Sequence, residues 1–131
     1  MNEKFFDLKK EKQDRIINAV LKIFAQNGYR HASTDDIVKE ADISKGLLFH
    51  YFSSKIGVYE FIYEYSVRYM ILELTTKVSK TESNLFEVMK QIEMARMNAM
   101  KGYPYIQQFL NRCEKEDAPE ALEVIREKRP L

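Results

Sequence analysis

The segment Ser33 to Lys55, STDDIVKEADISKGLLFHYFSSK, holds the side chains best suited to chemistry in this chain. Lys45, His50 and Tyr51 fall within one short stretch, and each can donate to phosphate oxygens or to base edges. Two short helical patterns flank a tight turn, and the second lacks a repeating apolar face. That is the layout of a DNA-reading helix-turn-helix. Catalytic and metal chemistry find no comparable set: no carboxylate pair, nucleophile-base pair, phosphate-cradling glycine loop or metal cluster stands at a useful spacing, so an enzyme is not expected. Cys113 is the single cysteine, which excludes an internal disulfide, and His31 and His50 lie too far from it for a zinc spacing. No metal and no cofactor are expected.

The elements that must position this segment are helical. A first helix beginning near Lys9 places Ile16, Ile17, Val20, Leu21 and Phe24 on one broad apolar face, and Gly28 ends it by supplying a left-handed conformation. Tyr29 folds back as an apolar plug. A second, short helix starts at Ser33 or Thr34, whose hydroxyls cap the free N–H groups, while Asp35 and Asp36 suit the positive helix end. Ile37 and Ala41 face inward. Asp42 takes the left-handed position of the turn, Ile43 plugs the angle, and Ser44 caps a third helix from Lys45 to about Phe52. In that helix Leu48 and Phe52 are one turn apart on the buried side, with Phe49 also expected in the core. Lys45, Gly46, Leu47, His50 and Tyr51 are left outward. Taken alone, the same pattern serves equally for a surface helix anchored by a few aromatics.

The run Phe24, Gly28, Tyr29, Ser33 to Ile37, Ala41, Ile43, Ser44, Gly46 and Leu48 to Lys55 resembles the N-terminal domain of TetR-family transcriptional regulators over about 50 residues. Two departures stand out: Asp42 where the family commonly has glycine, and Leu47 to Phe52 where it commonly has Thr-Leu-Tyr-Tyr-His-Phe. The resemblance implies phosphate binding at Ser33 and Thr34, which agrees with the anion affinity of a helix N-terminus. It implies that Ser44, Lys45, Gly46 and Leu47 form the leading edge of a recognition helix. There Gly46 admits close backbone approach, Lys45 donates to guanine or phosphate, and Leu47 packs on a thymine methyl. His50 and Tyr51 are matched to the family's aromatic pair, and Lys55 to its phosphate-binding lysine. The sequence Lys55, Ile56, Gly57, Val58 after the Ser53-Ser54 cap leaves that helix start free of carboxylates, though drift at an exposed turn would do the same.

A fourth helix from Lys55 to about Val78 carries two apolar stripes, Val58, Phe61, Ile62, Tyr65, Tyr69, Leu72 and Tyr59, Tyr63, Ser66, Met70. It is expected to be covered on two sides and to act as a lever of roughly 35 Å. After the polar break Ser79 to Asn84, with Asn84 and Glu87 spaced as a capping pair, Leu85, Val88, Met89, Ile92, Ala95 and Ala99 give the next core face. Gly102 and Pro104 interrupt, Tyr105, Ile106, Phe109 and Leu110 resume, and Pro119 opens a last helix through Ala121, Leu122, Val124 and Ile125. The fold class is therefore all-α: a helix-turn-helix head over residues 1–54, and a helical body for ligand binding and dimerisation over 55–131. The resembled family commonly runs to about nine helices, against about seven counted here, so the body is short at its C-terminus by comparison. A homodimer is expected from the family, since a two-fold protein reads a palindromic operator by placing two recognition helices one turn, roughly 34 Å, apart. The short body puts the usual interface in doubt, and the face around Leu122 and Ile125 is an alternative place for pairing.

Tyr59, Tyr63, Tyr69, Met70, Met94, Met97, Met100 and Tyr105 are candidates for a pocket taking a small apolar or aromatic effector, although ordinary cores contain the same residues. The functional expectation is a sequence-specific regulator of double-stranded DNA, a repressor released from its operator by that effector. The alternative is a helical protein-interaction module that has lost DNA binding, because Leu47 and Phe49 make the third helix unusually apolar. Net charge is +1, with ten Lys/Arg against eight Asp/Glu up to Lys55 and eleven against twelve beyond, so any basic footprint must be local. The charged start has no signal-peptide core, and no stretch approaches the roughly 18 apolar residues of a membrane span. A cytoplasmic location and no membrane partner are expected.

Overall fold

The longest apolar face of the N-terminal half builds the centre of the molecule. The computed structural model describes residues 2–130, whose helices are α1 Lys10–His31, α2 Thr34–Ala41, α3 Lys45–Phe52, α4 Lys55–Lys77, α5 Leu85–Gly102, α6 Ile106–Cys113 and α7 Pro119–Lys128. In α1, Ile16, Ile17, Val20, Leu21 and Phe24 are all buried. Removing each such side chain from water contributes roughly 1.5–3 kcal/mol before ordering costs. This helix touches α2, α4 and α6, so it belongs to head and body alike. Among the described residues there is no strand, and no helix is long and apolar enough to cross a membrane. The all-α expectation holds.

Gly28 breaks the regular helix with φ 74° and ψ 175°, and one further turn runs to His31. Left-handed φ is what glycine adopts without a Cβ penalty. Tyr29 then packs its ring flat on Phe24 and edge-on to Tyr59, as a plug.

One element was not anticipated. A 3₁₀ turn at Lys4–Asp7 precedes α1 and buries Phe5 completely against Phe52 and Phe61. Gln13 fastens it by donating to the carbonyls of Phe6 and Leu8 at 2.9 and 2.6 Å. The start of the chain is too charged to advertise itself as core, and the two adjacent phenylalanines were its only signal.

The expected head boundary falls at Ser53 and Ser54, between α3 and α4. The core is continuous across it, running from Phe5 and Ile17 through Phe52, Val58 and Ile62 to Phe109 and Ile125. Ser54 caps α4 through Gly57 N–H at 3.2 Å, and a Cβ on Gly57 would overlap the Phe52 carbonyl oxygen. That close passage, with Ser53 at φ 63°, sets how tightly α3 turns into the lever.

In the body, α4 is covered on two sides by α5 and α7, as its double stripe predicts. Several core assignments fail toward the far end. Leu72 on α4 and Leu85 and Met89 on α5 are exposed, with Leu85 at 67% and neighbouring Phe86 at 81%. Only Ala95 and Ala99 of the α5 face are fully buried. Helical period locates a face but not how far along its length a neighbour extends. Ile125 is buried with Ala121 and Val124 where α7 meets α4, so it is not free to pair two copies.

Candidate nucleic-acid interface

The head is assembled by caps and a left-handed turn. Ser33 Oγ accepts from the N–H groups of Asp35 and Asp36 at 3.1 and 3.4 Å, which starts α2. Asp42 stops it at φ 55° and ψ 51°, the left-handed region in which Asp is among the tolerated residues. Ser44 Oγ then accepts from Leu47 N–H at 3.0 Å and starts α3. Ile37, Ala41 and Leu48 are buried at this junction, and Phe52 packs against Phe5 and Phe61. Arg15 ties the junction by donating to the Ala41 carbonyl at 2.8 Å.

Eight residues of α3 divide into four rows one turn apart. Leu48 and Phe52 form the buried row. Gly46 with His50 forms the row opposite it, and Lys45 with Phe49 on one side and Leu47 with Tyr51 on the other flank it. Lys45, Gly46 and His50 are exposed, and Leu47 is half-buried.

Two expectations are corrected here. Phe49 is only half-buried and lies outside the core cluster. A helix of two turns offers one inward row, which Leu48 and Phe52 occupy, so Phe49 falls in the flanking row with Lys45, at the edge of the buried side. Tyr51 moves the other way: its ring meets Phe5 edge-on at 6.0 Å, and it packs on the core as a flank of the face. Its carbonyl also accepts from the Asn2 side chain. His50 stands outward with its ring edge-on to Tyr51.

Charge at the leading edge is partly neutralised within the head. Lys45 Nζ lies 2.9 Å from Asp35 Oδ1. The hydrogen bond and charge of Lys45 hold the Asp35 carboxyl below the usual carboxylate range. Thr34 is half-buried at the first position of α2. Lys55 opens α4, whose first turn has no acidic residue. Its Nζ donates to the Arg30 carbonyl at 3.3 Å and sits 4.5 Å from the centroid of the Tyr29 ring. Burial lowers the Lys55 pKa, against the attraction of Glu120 and Glu116.

The eight candidates for an effector pocket do not come together. Tyr63 and Met70 alone line an open cleft of about 530 Å³, with Val67, Leu74, Leu110 and Arg129 among its other walls. Met94 and Met97 are each 55% exposed, because the α5 face they occupy has no covering neighbour among the described residues. Tyr59 is core, with its hydroxyl 3.3 Å from the Cys113 sulfur. Tyr69 stacks near Tyr65 and Tyr103, Tyr105 borders a shallow depression beside α1, and Met100 packs on the core rim. Sequence offered no sign of Leu110 or Arg129 as cleft walls, since they meet Tyr63 only through packing of separate helices.

A capped helix pair around a left-handed turn, with a donor-rich outer face and a long following helix, defines the class of helix-turn-helix transcriptional regulators. Residues 16–60 match the family described as bacterial regulatory proteins, tetR family, so the head is similar to that family's. Over 46 residues it is 52% identical to the uncharacterized HTH-type transcriptional regulator YuxN of Bacillus subtilis, covering 35% of this chain and 16% of that one. Over 48 residues it is 38% identical to IcaR of Staphylococcus aureus, described as the HTH-type negative transcriptional regulator of the biofilm operon icaADBC, covering 37% and 26%. The match to these curated relatives thus spans about a quarter of their length or less.

Likeness extends to the body in solved structures. A TetR family transcriptional regulator from Chloroflexus aurantiacus superposes with TM-score 0.71 at 27% identity, covering 95% of this chain and 58% of that one. PfmR of Thermus thermophilus shares the fold at TM-score 0.56 and 20% identity, over 87% and 63%.

Proposed function

We propose that this chain binds double-stranded DNA in a sequence-specific manner and represses transcription, with Lys45, Gly46, Leu47, Phe49 and His50 on the groove side. Ser33, Thr34, Ser44 and Lys55 are at phosphates, with Tyr51 flanking them. The observation that carries this reading is the open side of α3: an exposed glycine, a cation and an imidazole with half-buried Leu47 and Phe49 beside them, on a helix whose Leu48 and Phe52 are locked into the core. Glycine there permits close approach, and Leu47 and Phe49 offer apolar contact to a thymine methyl.

A small, largely apolar molecule in the cleft bounded by Tyr63 and Met70 would bind one arrangement of α4 better than another. It would shift the lever and lower the population competent for DNA. Two copies acting together would read a palindromic operator. Named relatives that are negative regulators support repression as the direction.

Selection of bound duplexes from a random pool tests the reading. A palindromic consensus is the expected result. Recovery of no enriched sequence, together with indifference of DNA affinity to Lys55→Ala, His50→Ala and Leu47→Ala, would leave the protein-interaction module as the better account.

A further inference from the structure

Lys55 does not hang free at the start of α4. Its ammonium spends one donor on the Arg30 carbonyl and rests over the Tyr29 ring, which leaves two N–H groups unassigned to it by this seat. A cation over a ring face is attracted by the ring quadrupole. Tyr29 is itself held on several sides. Its ring lies flat against Phe24 and edge-on to Tyr59, its N–H donates to Glu116 Oε2 at 3.1 Å, and its hydroxyl donates to Glu120 Oε2 at 3.2 Å. Glu116 also accepts from the N–H groups of Asp117 and Ala118, so it is fixed to the link between α6 and α7. Gly28, just before, supplies the backbone turn that brings Tyr29 into this place.

We propose that Tyr29 is a positioning residue for DNA binding: its ring presets the Lys55 ammonium for a backbone phosphate, and its ties to Glu116 and Glu120 make that seat part of the α6–α7 link. This rests on the reading of Lys55 as a phosphate ligand given above. A lysine already held in one arrangement loses less conformational freedom when it meets a phosphate. The link between α6 and α7 thereby reaches the DNA face through one side chain, without movement of the whole lever.

The test measures affinity for a random-sequence duplex across a range of salt for the unaltered protein, Lys55→Met, Tyr29→Leu and Tyr29→Phe. Neutralising one phosphate contact changes the slope of log K against log salt by about one. Lys55→Met and Tyr29→Leu should each lose about one from that slope and about tenfold in affinity, while Tyr29→Phe, which keeps the ring, should retain both. Proton resonances of the Lys55 methylenes, shifted upfield by the ring, should stay shifted in the DNA complex of the unaltered protein. A folded Tyr29→Leu variant with full slope, beside a Lys55→Met variant that loses one, would overturn the positioning role alone. Return of the Lys55 resonances to ordinary positions on DNA would do the same, and decides the matter even where Tyr29→Leu fails to fold. Full slope in Lys55→Met would remove the phosphate reading and this proposal with it, whereas an unaltered protein that binds no duplex would remove the proposed function itself.

Discussion

Lys45 and Asp35 face each other at 2.9 Å across the turn between α2 and α3, with both side chains more than half exposed. The cation at the leading edge of the recognition helix is therefore answered by a carboxylate of the same head. Surface pairs of this kind contribute little to stability, roughly 0–1 kcal/mol, so the pair matters more for the field the DNA meets.

Asp35→Asn removes that carboxylate and should tighten binding to duplexes of any sequence by a few-fold at low salt, with the gain shrinking as salt rises. Fluorescence anisotropy at two salt concentrations measures it. Unchanged or weaker binding would mean that Lys45 does not meet the phosphate field, or that Asp35 holds it in its working position.

Phe49 lies outside the core, and its truncation is predicted to separate binding from folding. Phe49→Ala should cost about 1 kcal/mol or less in urea unfolding, against roughly 3–5 kcal/mol for a buried phenylalanine such as Phe24. Operator affinity should fall. A stability loss near that of a Phe24→Ala variant would return Phe49 to the interior.

At Gly57 any side chain must displace the Phe52 carbonyl. Gly57→Ala should destabilise by about 1–3 kcal/mol despite the gain in helix propensity, since overpacking at backbone cannot relax by a rotamer change. A denaturant midpoint equal to that of the unaltered protein would show that the α3–α4 corner is looser than it stands.

Alkaline pH should weaken the fold. Burial pushes the Cys113 thiol up to about 12 from 9.0, and the Tyr29 hydroxyl to about 12 from 10.0 through burial and the nearby Glu120. Both groups hold their protons more firmly when folded, so their contribution is complete below the unfolded values and is lost as pH rises from about 9 toward 12. Thermal melts over that window should fall steadily. At pH 7–8 the buried thiol should react with a thiol reagent only after unfolding, and rapid labelling of the native protein would contradict this placement.

Local chemistry made much of the head legible before any coordinates. The Ser33 and Ser44 caps, the left-handed Asp42, the break at Gly28 and the bounds of α3 all follow from which backbone groups lack partners and which residues tolerate positive φ. Those determinants act within a few residues of each other, so sequence carries them whole.

Tertiary structure alone decided what faces what. Phe5 enters the core from a charged N-terminal stretch because Phe52 and Phe61 meet it from distant parts of the chain. Leu85 and Met89 stay at the surface because no helix among the described residues lies over them, although their spacing is that of a core face. Lys55 rests on Tyr29, and Tyr29 on Glu120, across 26 and 91 positions of sequence separation counted from the numbering. Period and capping are properties of one helix, whereas burial and pairing depend on a second surface arriving, and a single sequence does not encode that arrival in any local pattern.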